Sequence, residues 1–237
     1  MKFEVNRTEI KQLEDGIKYI AIFDKDNKDW YEELKKFDKD NLKVMYNADT
    51  HLILSMSKDA TVIAPTMVGD VVEEIEYQEV EIAPDNYFVG GKIVKLKECE
   101  TIKDGKIVFN KDFKLEQIKK ELSELKVEYS EKEFIFKDKY LQRNRELDKN
   151  NLNNIVTMMM ATKKATFDGW KFKNKERTDE YVTLTMQDVL ELSKIMTEQT
   201  TKAMHTETVL RENLVNLSDE ELKKFNAREE FEKLWES

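Results

Sequence analysis

Short apolar runs with the spacing of strands dominate the first 110 positions of the chain, and helical spacing takes over after them. Ile17 to Phe23 is a largely apolar run behind Asp15-Gly16, a pair suited to a tight hairpin, and reads as a strand buried on both faces. Asp29 opens a short helix, with Glu32 placed to complete a capping arrangement and Trp30, Leu34 and Phe37 on one face. Leu42 to Tyr46 and Leu52 to Met56 flank Asn47-Ala48-Asp49-Thr50, whose side chains suit a turn, and predict a second hairpin. Further strands are expected at Val71 to Ile82 and at Lys92 to Leu96, with Gly90-Gly91 as a turn. Cys99 to Ile102 and Lys106 to Phe109 form a last pair around Asp104-Gly105.

Leu115, Ile118, Leu122 and Leu125 then repeat at a helical 3, 4, 3 spacing with polar residues between them. The stripe lasts under two heptads, too short to hold an oligomer alone, so this helix reads as an amphipathic connection that also offers a seam for self-association. Beyond it, Phe134-Ile135-Phe136 and Tyr140 predict a small hairpin turning at Lys137-Asp138-Lys139. A helix follows from about Asn144 to Lys163, and Trp170 to Phe172 pairs with Tyr181 to Leu184.

Two helix starts carry capping chemistry. Thr185-x-x-Asp188, stapled by Leu184 and Val189, and Ser218-x-x-Glu221, stapled by Leu217 and Leu222, each satisfy early backbone N–H groups and set a carboxylate at a helix N-terminus. The last helix is expected to run from about 219 through Phe225, Phe231, Leu234 and Trp235. The elements add up to an α+β fold: a β-rich domain with one short helix over 1–110, the connecting helix over 111–127, and an α+β domain with terminal helices over 128–237.

Charged residues make up 38% of the 237 positions and hydrophobic ones 40%, so the chain is very polar, yet its regular apolar spacing argues for a fold rather than disorder. Two prolines and six glycines leave no flexible linker, so a domain boundary is expected to be helical. The net charge of −9, with no basic face interleaved with aromatics, argues against nucleic acid as a partner. Cys99 is the single cysteine, which excludes an internal disulfide framework and fits a reducing compartment. No run approaches the roughly 18 apolar residues of a membrane span, and no signal-peptide core opens the chain, so a soluble protein without membrane insertion is expected.

The chemistry-bearing motifs fail one by one. The acidic run from Asp24 looks like a calcium loop, but Lys28, Asp29 and Lys35 stand where an EF-hand needs an oxygen ligand, a glycine and a bidentate glutamate. His51, Cys99 and His205 lack zinc-ligand spacing, no nucleophile elbow is present, and Gly90-Gly91 belongs to no phosphate-binding pattern. Acidic pairs are unavoidable among 49 carboxylates and mark no glycosidase. The expectation is a protein that is not an enzyme and has no metal or cofactor. Met158-Met159-Met160 reads as core filling with at least one side chain turned outward. Trp170, in the aromatic patch from Phe167 to Asn174, and the stripe Phe225, Phe231, Leu234 and Trp235 are the candidate partner-binding residues; intramolecular core is the competing reading of the stripe.

Residues 134–214 resemble a C-terminal domain of unknown function found in phage tail proteins encoded beside tail-fibre genes. The likeness lies in an ordered series: the aromatic hairpin, the helix with Leu152-Asn153-Asn154-Ile155-Val156, the strand Trp170-Lys171-Phe172-Lys173-Asn174, and Leu184-Thr185 opening a helix with Val189-Leu190-x-Leu192. Leu54 to Ala60 and Tyr87 to Val94 are similar to N-terminal parts of such tail and fibre-assembly proteins, whereas the capped segment after Val215 departs from the pattern. The resemblance implies a structural component of a phage tail or contractile tail-like bacteriocin, partnered with a tail-fibre or baseplate protein, made in the host cytoplasm and carried into the particle. A fibre-assembly chaperone is the alternative, followed by a glycan-binding module and a wall-degrading enzyme.

Overall fold

A computed structural model describes residues 1–80 and 83–237, in two compact units, Met1–Asn110 and Lys111–Ser237. The fold is α+β. In chain order the first unit contains β1 (Lys2–Glu4), β2 (Arg7–Gln12), β3 (Lys18–Phe23), α1 (Trp30–Glu33), β4 (Leu42–Asn47), β5 (Ile53–Ser57), β6 (Asp70–Ile75), β7 (Asn86–Val89), β8 (Lys92–Lys95), β9 (Glu100–Lys103) and β10 (Lys106–Phe109). Four of these strands make an antiparallel sheet in the order β1-β6-β4-β5, and β2-β3, β7-β8 and β9-β10 are separate hairpins.

The sheet has a core on each face because successive strand side chains point to opposite sides. Val72 joins Phe3, Ile22, Trp30, Phe37 and Ile63, while its neighbour Val71 joins Val44, Tyr46, Ile53 and Phe88. Asp29 caps α1 by accepting from the Tyr31 N–H, while Glu32 turns to Lys35 rather than closing a box. The hairpins form where turn chemistry places them: Gly16, Gly90, Gly91 and Gly105 all have positive φ, and Asn47 Oδ1 accepts from the N–H groups of Asp49 and Thr50.

Two expectations are corrected in this unit. The run Ile17 to Phe23 is buried only at Ala21, Ile22 and Phe23; Ile17 and Ile20 are exposed, because β2-β3 is a two-stranded ribbon with, among the described residues, no third strand paired to it. The strand expected over Val71 to Ile82 ends at Ile75, where its partner β4 begins at Leu42 and pairing runs out. Glu81 and Ile82, its expected end, lie outside the described residues.

The second unit contains α2 (Lys111–Ser130), β11 (Phe134–Phe136), β12 (Tyr140–Gln142), α3 (Glu146–Thr162), β13 (Thr166–Lys173), β14 (Asp179–Thr185), α4 (Met186–Leu214), α5 (Asp219–Lys224) and α6 (Ala227–Glu236). Its antiparallel sheet has the order β11-β12-β13-β14. One face of that sheet supplies Phe136, Trp170, Phe172 and Leu184 to a core completed by Leu152, Ile155 and Met159 of α3 and Val189, Leu192 and Met196 of α4. Met158 and Met160 turn outward. The helix read as a connection belongs to this unit, where α2 lies along α4 and buries Ile118, Leu122, Leu125 and Tyr129, so the apolar seam is used internally.

The capped starts at Thr185 and Ser218 both appear as reciprocal capping boxes. The final helix, expected to be continuous, is two. Phe225 leaves the helical region at ψ 123°, and the Asn226 side chain accepts from the Glu229 N–H, so a competing cap starts α6 afresh. Ser218→Ala removes the Oγ acceptor of the Glu221 N–H and is expected to cost about 1 kcal/mol, read as a lower urea midpoint with unchanged slope.

Candidate functional site

The candidate residues at the chain's helical end divide into interior and rim. Phe231 is fully buried with its ring centroid 5.0 Å from that of Tyr129, because α6 lays its apolar face against α2 and α4. Trp235 stands edge-on to Tyr129 at 5.1 Å, under the Lys202 ammonium at 5.2 Å, and Trp235, Leu234 and Phe225 are half-buried. Arg228 forks onto Glu128 at 3.0 and 2.7 Å, and the Tyr129 hydroxyl donates to Glu232 at 3.0 Å. Burial, and then that bond to Glu232, push the Tyr129 pKa up. The reading of Phe231 as a partner contact is corrected: it is core, and the stripe offers only its rim.

Trp170 is also mostly interior, 8% exposed, with Nε1 donating to Gln142 Oε1 at 3.1 Å. Its outer edge lines a groove of about 420 Å³ whose apolar wall is completed by Leu141, Leu147 and Phe172. Arg143, Arg145, Lys171 and Lys173 rim this groove, against only two carboxylates, Glu133 and Asp148. Asn144 sets the geometry. It is fully buried, and its Nδ2 donates at 2.8 Å to the carbonyls of both Ser130 and Met196, which pulls the chain out of the sheet between Arg143 and Arg145. Arg145 then grips Asp148 through two bonds of 2.8 and 3.1 Å. Lys171 and Lys173 share Asp179 at 2.6 and 3.5 Å, and the Lys171 bond above all holds that carboxyl below its usual range.

The first unit presents a different surface. On the β2-β3 ribbon, Ile10 and Ile20 are directly paired across the strands and exposed by 77% and 42%, and Leu13 and Ile17 extend the apolar patch to the turn. The Arg7 guanidinium and Lys11 ammonium lie 4.6 and 4.7 Å from the centre of the Phe23 ring. Ile10, Leu13, Ile17 and Ile20 thus form an exposed apolar patch on an otherwise very polar chain.

The buried charges hold the architecture together. Lys43, 1% exposed, donates to the carbonyls of Asp38, Asn41 and Lys58. Burial alone would raise the Glu207 pKa, but bonds from Lys126 at 2.9 Å, Ser123 at 3.0 Å and Arg211 at 3.0 Å outweigh it and hold the carboxyl below its usual range. Asp188 is likewise lowered, first by Lys137 and then by its capping bonds to Thr185. His51 donates from Nδ1 to the Phe88 carbonyl at 2.9 Å and stacks on Tyr46; His205 lies on α4, and Cys99 is buried. Among the described residues, no helix is long and apolar enough to cross a membrane.

No protein-family model matches the chain, the segment 134–214 included. Among curated proteins the chain is similar to the probable tail fiber assembly protein of Escherichia phage P2 and to tail fiber assembly protein U of Escherichia phage Mu, 33% identical to each over 54 residues. The similarity is to tail-fibre assembly proteins. It covers 23% of this chain, which spans 30% of the length of each of these relatives.

Proposed function

We propose that this chain is a non-enzymatic assembly factor for a phage tail fibre, acting in the host cytoplasm by binding the fibre chain while it folds and trimerises. The observation that carries the reading is the similarity to two tail-fibre assembly proteins. The surface supports it: the ribbon of Ile10, Leu13, Ile17 and Ile20, and the cation-rimmed groove beside Trp170, are contact surfaces built from shape and charge. The buried ionisable groups are used in caps and helix-to-helix ties. A resident fibre or baseplate component, suggested by the resemblance of residues 134–214, is the second reading.

Co-expression with the tail-fibre chain of the same genome tests the proposal. Fibre trimers are expected to be soluble when this chain is present and to aggregate when it is absent, while purified tails lack it or hold only traces. Fibre that folds equally well alone sinks the assembly role. Fixed stoichiometry in washed tails favours the resident component instead.

A further inference from the structure

The ribbon β2-β3 leaves the outer edge of β2 open. Among the described residues no strand but β3 pairs with β2, and Ile10, Lys11 and Gln12 are exposed along it. The hairpin's own bonds fix which backbone groups face outward. The Leu13 N–H donates to the Ile17 carbonyl at 2.8 Å, and the register continues through Gln12↔Lys18, Lys11↔Tyr19, Ile10↔Ile20 and Glu9↔Ala21. Antiparallel pairs that exchange backbone bonds alternate with pairs that do not, so Lys11 and Glu9 bond to β3 while Gln12, Ile10 and Thr8 turn their N–H and C=O groups away from it. The Tyr31 hydroxyl reaches the Ile20 carbonyl at 3.2 Å because that carbonyl, across from Ile10, is likewise turned away from its partner strand.

An exposed strand edge pairs with another extended chain, and its side chains set which chain and which register. On one face of β2, Glu9 and Lys11 flank the position of Ile10, which points to the other face. Glu9 is bonded to Arg7 of its own strand at 2.7 Å, and Lys11 lies over the Phe23 ring and, among the described residues, meets no carboxylate. A second β2 laid antiparallel with its two-fold axis at Glu9 sets glutamate against glutamate, and one with the axis at Lys11 sets lysine against lysine; both are repulsive. With the axis at Ile10 the strand is complementary to itself. Glu9 then faces Lys11 of the second copy on both sides of the axis, Thr8 faces Gln12, and the outward N–H and C=O of the two Ile10 residues meet. On the other face, Ile20 and Ile10 of each copy fall into one row, which covers side chains that are 42% and 77% exposed.

We infer that β2 pairs with β2 of a second copy of this chain, antiparallel and centred on Ile10, so that two hairpins join into a four-stranded sheet. The ladder from Thr8 to Gln12 and one apolar row make a small interface, in the class below about 1,200 Å² that forms and parts with concentration. The inference goes beyond the assembly reading and does not rest on it.

Sedimentation equilibrium of the full chain from about 5 to about 500 μM tests it, in about 0.15 M salt, which screens the long-range repulsion of two chains of net charge −9 but not the contact of facing side chains. The mass is expected to rise from one chain toward two across that range. Glu9→Lys and Lys11→Glu each set like charges against each other on both sides of the axis, and each is expected to raise the dissociation constant by about tenfold or more. Mixed in equal amounts, the two variants face lysine with glutamate at both places and are expected to associate as the parent does, a recovery that misfolded variants could not give. A parent chain that stays monomeric throughout overturns the inference. So does a dimer that both single variants leave unchanged, or a mixture that associates no better than its components. No fibre chain is present in this experiment, so its failure leaves the assembly reading standing, and a failure to rescue fibre trimers leaves the dimer standing.

Discussion

Phe231→Ala is expected to destabilise the second unit by about 3–5 kcal/mol, among the largest effects of any single truncation in the chain. The ring is fully buried and is held between Tyr129, at 5.0 Å, and Trp235, stacked over it at 6.5 Å. Removing it leaves a cavity that α6 cannot close, because Arg228 is tied to Glu128 and Glu232 to Tyr129 at either side. The loss corresponds to a fall of roughly 10–20 °C in melting temperature for a domain of this size. Intrinsic fluorescence reads it directly, since Trp170 and Trp235 both lie in this unit. A melting temperature within two or three degrees of the parent's would mean that α6 is an appendage and that the terminal stripe is free to serve as an interface.

Trp30→Ala is the counterpart in the first unit, with an expected cost of about 3–5 kcal/mol. Trp30 is 1% exposed, and its ring lies 5.1 Å from Phe3 and 5.8 Å from Phe37. It fastens the short helix α1 to β1 and to the sheet face carrying Val72, in a core that also takes in Ile22 of β3 and Ile63. A four-residue helix has no stability of its own, so its position depends on this side chain and on the Asp29 cap. The variant is expected to lose strand ellipticity at a lower urea concentration than the parent; an unchanged midpoint refutes the placement of Trp30 at the centre of that core.

Much of the local structure was legible because it rests on chemistry within a few residues. Asp15-Gly16, Asn47 to Thr50, Gly90-Gly91 and Asp104-Gly105 demand turns from their own dihedral preferences and side-chain bonds. Thr185 and Ser218 announce helix starts for the same reason. The break at Asn226 was hidden, since Asn226 is three residues from Glu229 inside a pattern that reads equally well as one continuous helix. Strands β1 and β2 were hidden too: Lys2–Glu4 is only three residues long, and the polar Arg7–Gln12 is a strand because β3 pairs with it.

For the candidate site the division is sharper. Sequence marked Trp170 and the terminal aromatics as contact residues but held no information on which side of each faces water. Exposure is a property of neighbours far along the chain: Tyr129 lies about a hundred positions before Phe231, and their contact depends on α6 lying against α2 and α4. The groove depends on a still longer set of relations, in which Asn144 reaches Ser130 and Met196 and so takes β12 out of the sheet early. The sequence by itself determined turns, caps, the α+β class and the charge balance, because each follows from local dihedrals or from simple addition. Only the tertiary structure decided which apolar residues stay exposed and which strand edge is left open, because both arise from long-range packing and from where pairing stops.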